Sequence, residues 1–157
     1  MEIASPIATS DARAPAPSIA SVPSGNPHFA LLGGVEAITR LVERFYLHMD
    51  TLPEAAAIRA MHPANLGPVK EVLVRFLSEW MGGPPRYSTE RGHPRLRQRH
   101  LPFPIGVAER DAWMLCMRLA LQDIVSDAAL AHQLENAFFK TADFIRNDKD
   151  HHHEHHR

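Results

Sequence analysis

The densest group of side chains able to do chemistry lies in residues 91–100, which read RGHPRLRQRH and hold four arginines and two histidines. Arginine binds carboxylates through two parallel hydrogen bonds, so one interpretation is a site for a small ligand with two carboxylates. The other is a solvated basic loop, and composition favours the two equally. Nucleic acid fits less well, because no aromatic residues alternate with the arginines and the chain carries a net charge of −1.

The other chemical groups in the sequence are weaker candidates. Cys116 is the chain's one cysteine, so it cannot form an internal disulfide, and its place on an apolar helix face predicts a buried, unreactive thiol. The sequence contains no glycine-rich phosphate loop and no paired CxxC, HExxH or CxxCH motif. Five of the eleven histidines lie in the last seven residues. Such a tract can bind Zn, Ni or Cu, but we favour a solvated tail.

Composition divides the 157 residues into three segments. Residues 1–26 are rich in Ala, Ser and Pro and cannot bury enough apolar surface to offset their ordering entropy, so we expect a disordered N-terminal extension. Residues 27–147 should form one domain, and residues 148–157 a polar, His-rich tail. No apolar run approaches the ~18 residues of a membrane span. Because the first residues also lack the features of a secretory signal, we expect a cytoplasmic protein without a membrane partner.

Apolar residues recur every three or four positions through most of this domain, which predicts helices, and no segment alternates as a strand would. We therefore expect an all-α fold. Thr51 offers an N-cap to a short helix, and Ser126 offers one to the last helix. Residues 86–106 lack an apolar period, so we expect at most one or two helical turns there, around residues 95–100. The helices that this pattern predicts cover residues 35–49, 53–61, 68–80, 107–124 and 127–146, and Gly33 and Gly34 separate the first of them from a short apolar segment at 29–32.

Three blocks of the sequence resemble the group II truncated haemoglobins. They are RGHPRLRQRHLPFPIGVAERDAWMLCM at 91–117, GGVEAITRLVERFY at 33–46 and FLSEWMGGPPRY at 76–87. Their order and spacing agree with that family, and the resemblance covers about residues 28–146. It implies a shortened globin fold, a two-over-two helical sandwich around haem b. The helices follow from the apolar period, whereas the haem follows only from the resemblance.

The resemblance also implies roles for individual residues. His100, in RHLPF, matches the proximal histidine that ligates the haem iron. Tyr46 and Trp113 match the tyrosine and tryptophan that donate hydrogen bonds to the ligand on the distal side of the haem. His62 lies at a variable aromatic or histidine position after the short helix, where it is either a third distal donor or a residue that packs on the haem edge.

The same resemblance implies which residues line the haem pocket. Val69 occupies a distal position that holds histidine in many globins, and an apolar residue there cannot donate a hydrogen bond. Tyr87 and Arg99 are candidates to contact the haem propionates. The residues implied for the pocket are Phe45, Val69, Leu73, Phe76, Tyr87, Arg99, Phe103 and Met117.

The expected function is a haem-binding globin that binds O2 reversibly at ferrous iron. NO, CO, peroxide and sulfide are further ligands to consider, and the protein would act as a monomer or a homodimer. The alternative is a haem redox enzyme, an NO dioxygenase or a peroxidase-like protein, served by a separate reductase. A third interpretation is a helical sensor or interaction module that binds no haem.

Overall fold

The computed structural model describes residues 26–147, which form helices and turns without any strand. The all-α class that the sequence predicts is confirmed over this range. The two segments for which we expect disorder and a solvated tail lie, apart from Asn26, outside the described residues. The elements in chain order are α1 His28–Leu32, α2 Gly34–Thr51, a 3-10 turn Pro53–Ala55, α3 Ala56–Ala60, α4 Gly67–Trp80, α5 Arg86–Arg91, α6 Leu96–His100, α7 Val107–Ile124 and α8 Ala128–Ile145.

The four long helices pack as two pairs, one over the other. Helix α2 packs against α4 in its own layer and against α7 in the other layer, where α7 packs against α8. Burial of each Leu- or Phe-sized side chain contributes about 1.5–3 kcal/mol, so this core supplies most of the stability of the fold. None of the helices between residues 26 and 147 is both long and apolar enough to cross a membrane. The core side chains that α2 contributes are Ala37, Ile38, Leu41, Val42, Phe45, Tyr46 and Met49.

The helix ends follow local chemistry, with two corrections to the sequence-based expectations. Thr51 does not cap the next element, because it is the last residue of α2 and its hydroxyl donates to the Leu47 carbonyl at 2.9 Å. The N-cap of α8 is Asp127 rather than Ser126, since the Asp127 carboxylate accepts from two backbone N–H groups in the first turn. A carboxylate there also interacts favourably with the helix dipole.

The region between α4 and α7 contains more helix than its sequence predicts. The turn expected around residues 95–100 is present as α6, but α5 was not expected. Tyr87 is the one residue of α5 that is buried, and most of the helix surface is exposed, so its sequence shows no apolar period. The chain turns between the two at Gly92, which has φ +78°, and again at Arg95, which has φ +47°.

The N-terminal helix α1 docks on the glycine pair that ends α4. The backbone N–H of Phe29 donates to the Met81 carbonyl at 2.8 Å, and the Asn26 amide donates to the Trp80 carbonyl at 2.9 Å. Gly82 has φ +97°, and a Cβ there would lie 2.1 Å from the Asn26 carbonyl oxygen. The close approach of the two backbones therefore requires glycine.

Gly82→Ala should destabilise the protein more than Gly92→Ala does. Both residues have positive φ, which costs a side-chain-bearing residue about 1–2 kcal/mol. Only at Gly82 would the new Cβ also meet backbone, and relieving that overlap should cost about 1–3 kcal/mol more. Urea unfolding of the parent and both variants measures the difference. Equal losses in the two variants would show that α1 does not hold its docked position.

Candidate functional site

His100 ends the short helix α6, and its ring orientation is fixed by one hydrogen bond. Nδ1 lies 2.7 Å from the Leu96 carbonyl oxygen, one turn earlier in the same helix. Because a carbonyl can only accept, Nδ1 must carry a proton, and in the neutral ring Nε2 then has a free lone pair. Nε2 makes no hydrogen bond within residues 26–147. A half-buried histidine held in this way has the donor atom that a metal ion requires.

Tyr46 lies on α2 with 5% of its surface exposed, and its hydroxyl has no hydrogen-bond partner among the described residues. Burial raises the pKa of this phenol to about 12, because the phenolate would lose its solvation. The hydroxyl therefore stays protonated at neutral pH and remains a donor. Leaving such a group unpaired costs about 1–3 kcal/mol, so the site is suited to a ligand that can accept from it.

Trp113 lies on α7 and faces the same aromatic group from the other layer of the fold. Its ring centroid is 5.0 Å from that of Phe45, which in turn is 4.9 Å from that of Tyr46. On its other side Trp113 packs 5.8 Å from Phe138 of α8. The indole N–H, like the Tyr46 hydroxyl, makes no hydrogen bond in the part of the chain that the structure describes. Packing thus fixes the ring but does not satisfy its donor.

His62 completes the cluster from the loop after α3. Its ring centroid lies 5.8 Å from that of Tyr46, and its Nδ1 lies 2.8 Å from the Ile58 carbonyl oxygen. By the argument used for His100, Nδ1 carries the proton and Nε2 is an acceptor. A neutral His62 in this orientation therefore offers the cluster a lone pair rather than a third N–H donor.

Arg59 holds the loop that carries His62, and sequence reasoning missed it. Its Nε donates to Asp50 at 2.5 Å, while its two terminal nitrogens donate to the carbonyls of Pro63 and Ala64 at 3.0 and 3.1 Å. One guanidinium thus joins the end of α2 to the loop on both sides of its turn. The sequence offers no signal for this role, because the partners are a surface carboxylate and backbone atoms.

Helix α4 presents a partly exposed apolar face near these groups. Val69, Leu73 and Phe76 are half-buried, although each packs against the core on one side. Phe76 also lies 5.5 Å from the ring of Tyr87, which is 5% exposed. Apolar side chains in this state can bury further surface against a flat apolar ligand.

The remaining expected pocket residues differ in their surroundings. Phe45 and Met117 are fully buried in the core, whereas Phe103 is 39% exposed. Arg99 is exposed and its Nε donates to the Pro94 carbonyl at 2.8 Å. Arg97 donates to two carbonyls at the end of α8. Two arginines of the basic segment 91–100 therefore donate hydrogen bonds to backbone carbonyls of this protein.

The fold brings the distal candidates together and holds the proximal candidate apart. Tyr46, Phe45, Trp113 and His62 form one aromatic group. His100 makes no ring contact with that group among the described residues, because α6 packs against α8. Cys116 is fully buried and burial raises the pKa of its thiol to about 11, so it stays the unreactive side chain expected.

Comparison with known proteins identifies many similarities to haemoglobins. The family described as bacterial-like globin matches residues 28–147. The Bacillus subtilis protein "Group 2 truncated hemoglobin YjbI" is 38% identical over 91 residues, which cover 58% of this chain and 67% of that one. The group II 2-on-2 haemoglobin of Agrobacterium tumefaciens is 39% identical with a TM-score of 0.75, over 83% of this chain and 98% of that one. The cold-adapted truncated haemoglobin of Pseudoalteromonas haloplanktis is 37% identical, also with a TM-score of 0.75, over 76% and 97%.

Burial of Tyr46 predicts a loss of stability between pH 10 and pH 12. In the unfolded chain the phenol ionises near pH 10, but in the folded protein its pKa is about 12. The unfolded state therefore loses its proton first, and the free energy of unfolding falls across this window by roughly 2–3 kcal/mol. Tyr46→Phe should remove that part of the slope, as measured by urea unfolding at both ends of the window. Tyr87→Phe, which removes the chain's other phenol, is the control, and parental slope in Tyr46→Phe would contradict the burial argument.

Proposed function

The chain belongs to the bacterial-like globin family, among the group II truncated haemoglobins, and we propose that it binds haem b and takes O2 reversibly. Membership of this family supports haem as the cofactor. When bound, haem supplies a ferrous iron that coordinates diatomic ligands and gives O2 a partial negative charge. The side chains described above fit such a group in three respects.

The first respect is the proximal ligand. His100 has its Nδ1–H held by the Leu96 carbonyl and its Nε2 lone pair free. The hydrogen bond fixes the tautomer and increases the electron density on Nε2, as in other histidines that ligate metals. His62 also has a bonded Nδ1, but it lies against Tyr46 in the distal group. We therefore assign the axial nitrogen to His100.

The second respect carries the proposal: a buried hydroxyl and a half-buried indole N–H face one aromatic group and have no partner among residues 26–147. They are the hydroxyl of Tyr46 and the indole N–H of Trp113, held on either side of Phe45. Donors that are already oriented stabilise a ligand that gains negative charge without any cost of reorganisation. O2 gains such charge and CO gains much less, so the pair favours O2.

The third respect is exclusion of water. Val69, Leu73 and Phe76 give α4 an apolar face, and none of them can donate to a ligand. Distal polarity then depends on Tyr46 and Trp113. In a site without water these two hydrogen bonds act in a low effective dielectric, where each is stronger than it would be in solution.

His62 has a supporting role in this proposal. With its proton on Nδ1, a neutral His62 has no N–H left to donate to a ligand, and its ring packs edge-on against Tyr46 with the centroids 5.8 Å apart. It would therefore hold the Tyr46 ring in place rather than donate to the ligand. Of the two roles that the sequence left open, donor or packing residue, this orientation favours packing.

Absorption spectra of the ferric, ferrous and CO-bound protein test the proposal as a whole. A Soret band that shifts on reduction and on CO addition is the expected result. A protein that purifies without such a band, and gains none when haem is added, would instead be a helical module without haem. Steady-state NO consumption with an added reductant would indicate the redox enzyme.

His100→Gly should abolish stable haem binding, because the iron then loses its one strong nitrogen donor from the protein. Free imidazole should restore binding, since it fits the space that the ring leaves. The ferrous absorption spectrum with and without imidazole is the measurement. His93→Gly, in the same basic segment, is the control and should keep the parental spectrum. An unchanged ferrous spectrum in His100→Gly would remove this residue from the proximal role.

Trp113→Phe should raise the O2 dissociation rate about ten- to a hundred-fold. The variant removes one donor but keeps most of the ring volume, and a hydrogen bond to a charged acceptor contributes roughly 1.5–3 kcal/mol. Each ~1.4 kcal/mol corresponds to about a factor of ten in rate. Stopped-flow replacement of O2 by CO measures the rate.

The CO dissociation rate serves as the internal control for Trp113→Phe. If the indole acts only through cavity volume, both ligands should change together. If it donates, O2 should change far more than CO. An O2 dissociation rate within about twofold of the parent would contradict the donor role, because even the weakest bond in this class predicts more. Tyr46→Phe should act in the same direction, without additivity, because the two donors share one ligand.

A further inference from the structure

Asn147, just beyond the end of α8, holds the segment that follows His100. Its side-chain amide donates to the Phe103 carbonyl at 2.7 Å and to the His100 carbonyl at 3.3 Å. Its side-chain oxygen accepts from the backbone N–H of Ile105 at 3.1 Å, and its own backbone N–H donates to the Ile105 carbonyl at 3.0 Å. Asn147 thus makes hydrogen bonds to three residues, His100, Phe103 and Ile105, that lie more than forty residues earlier in the sequence.

Apart from Asn147, the hydrogen bonds of segment 101–105 among the described residues are local: the Leu101 N–H donates to the Gln98 carbonyl at 3.3 Å and the Phe103 N–H to the His100 carbonyl at 3.0 Å. Leu101 is 57% exposed and Phe103 is 39% exposed, so burial contributes little there. The prolines at 102 and 104 lack an N–H and cannot donate to a neighbouring backbone. Helix α6 is only five residues long, and a helix of that length is not stable without outside contacts. The position of His100 therefore depends on what this short helix and the following segment are bonded to.

A second set of hydrogen bonds joins α6 to the end of α8. Arg97, on α6, donates from Nε to the Phe144 carbonyl at 3.2 Å and from Nη2 to the Arg146 carbonyl at 3.3 Å. These carbonyls lie at the C-terminal end of α8, where backbone oxygens have no partner within the helix. Arg97 holds the middle of α6 through its side chain, whereas Asn147 holds the backbone at His100 itself.

We propose that Asn147 is a positioning residue for His100. Together with the Phe103 N–H, its amide holds the carbonyl of His100, and its bonds to Phe103 and Ile105 hold the turn after it, so that it helps to set the direction in which Nε2 points from the end of α6. The inference rests on the proposed function, in which His100 is the iron ligand. It predicts that the amide donor of Asn147, rather than its bulk, controls how firmly that ligand is held.

Two substitutions in the full-length, haem-loaded protein separate these contributions. Asn147→Asp keeps the shape and the acceptor for Ile105, but it replaces the amide donor with a carboxylate that repels the two carbonyls. Asn147→Ala removes both. Asn136→Ala is the matched control, since Asn136 lies exposed on α8 and, among residues 26–147, its side chain bonds only to His132, at 3.3 Å.

Haem transfer to an excess of a haem-scavenging protein, and the iron–histidine stretching band of the ferrous protein in Raman spectra, are the two readouts. Loss of one or two hydrogen bonds should accelerate haem loss about five- to thirty-fold in Asn147→Asp and in Asn147→Ala. The iron–histidine band should shift or broaden in both variants, and Asn136→Ala should match the parent in both measurements.

The outcomes decide between positioning and simple support. Haem loss within about twofold of the parent, together with an unmoved iron–histidine band in Asn147→Asp, would overturn the inference. The proposed function would still stand in that case if His100→Gly loses its Soret band. Lower thermal stability with an unmoved iron–histidine band would also overturn it, because the residue would then act only as scaffold. If Asn147→Ala fails to fold, Asn147→Asp carries the decision. A parent protein without a Soret band would overturn the proposed function and this inference together.

Discussion

An unpaired hydrogen-bond donor in a folded core destabilises the protein, so the arrangement around Tyr46 requires other interactions that offset this penalty. A buried hydroxyl without a partner destabilises a protein by about 1–3 kcal/mol, and the Tyr46 hydroxyl makes no hydrogen bond among the described residues. The apolar faces of α2 and α7 offset it, because they bury large side chains on both sides of the ring. The same packing leaves only 5% of the Tyr46 surface exposed to water. A stable core is what keeps this donor available to a ligand.

Two histidines in this protein bond their Nδ1 to the carbonyl one turn earlier, with different consequences. In His100 the hydrogen bond to Leu96 leaves a lone pair on a half-buried ring at the end of a short helix. In His62 the bond to Ile58 orients a ring that packs edge-on against Tyr46. The first arrangement suits a metal and the second suits packing within the aromatic group. Position in the fold, rather than ring chemistry, separates the two roles.

The long helices could be predicted from the sequence because each buries one face. The apolar spacing places α2, α4, α7 and α8 within about two residues of their observed ends, the usual variation in helix boundaries. The caps were less predictable: Asp127 takes the role expected of Ser126, whereas Thr51 ends α2 and no side chain caps the turn that follows. Helix α5 was missed because it exposes most of its surface.

The candidate site shows the same division between local pattern and long-range contact. No spacing rule singles out His100, whose proposed role comes from family resemblance, and the free Nε2 became visible only with the structure. Neither Arg59 nor Asn147 could have been predicted, because both bond mainly to backbone carbonyls that any residue possesses. Long helices make the core stable through burial, whereas the short helix with His100 is held by hydrogen bonds from side chains. A substitution can therefore weaken the proposed proximal side without weakening the core.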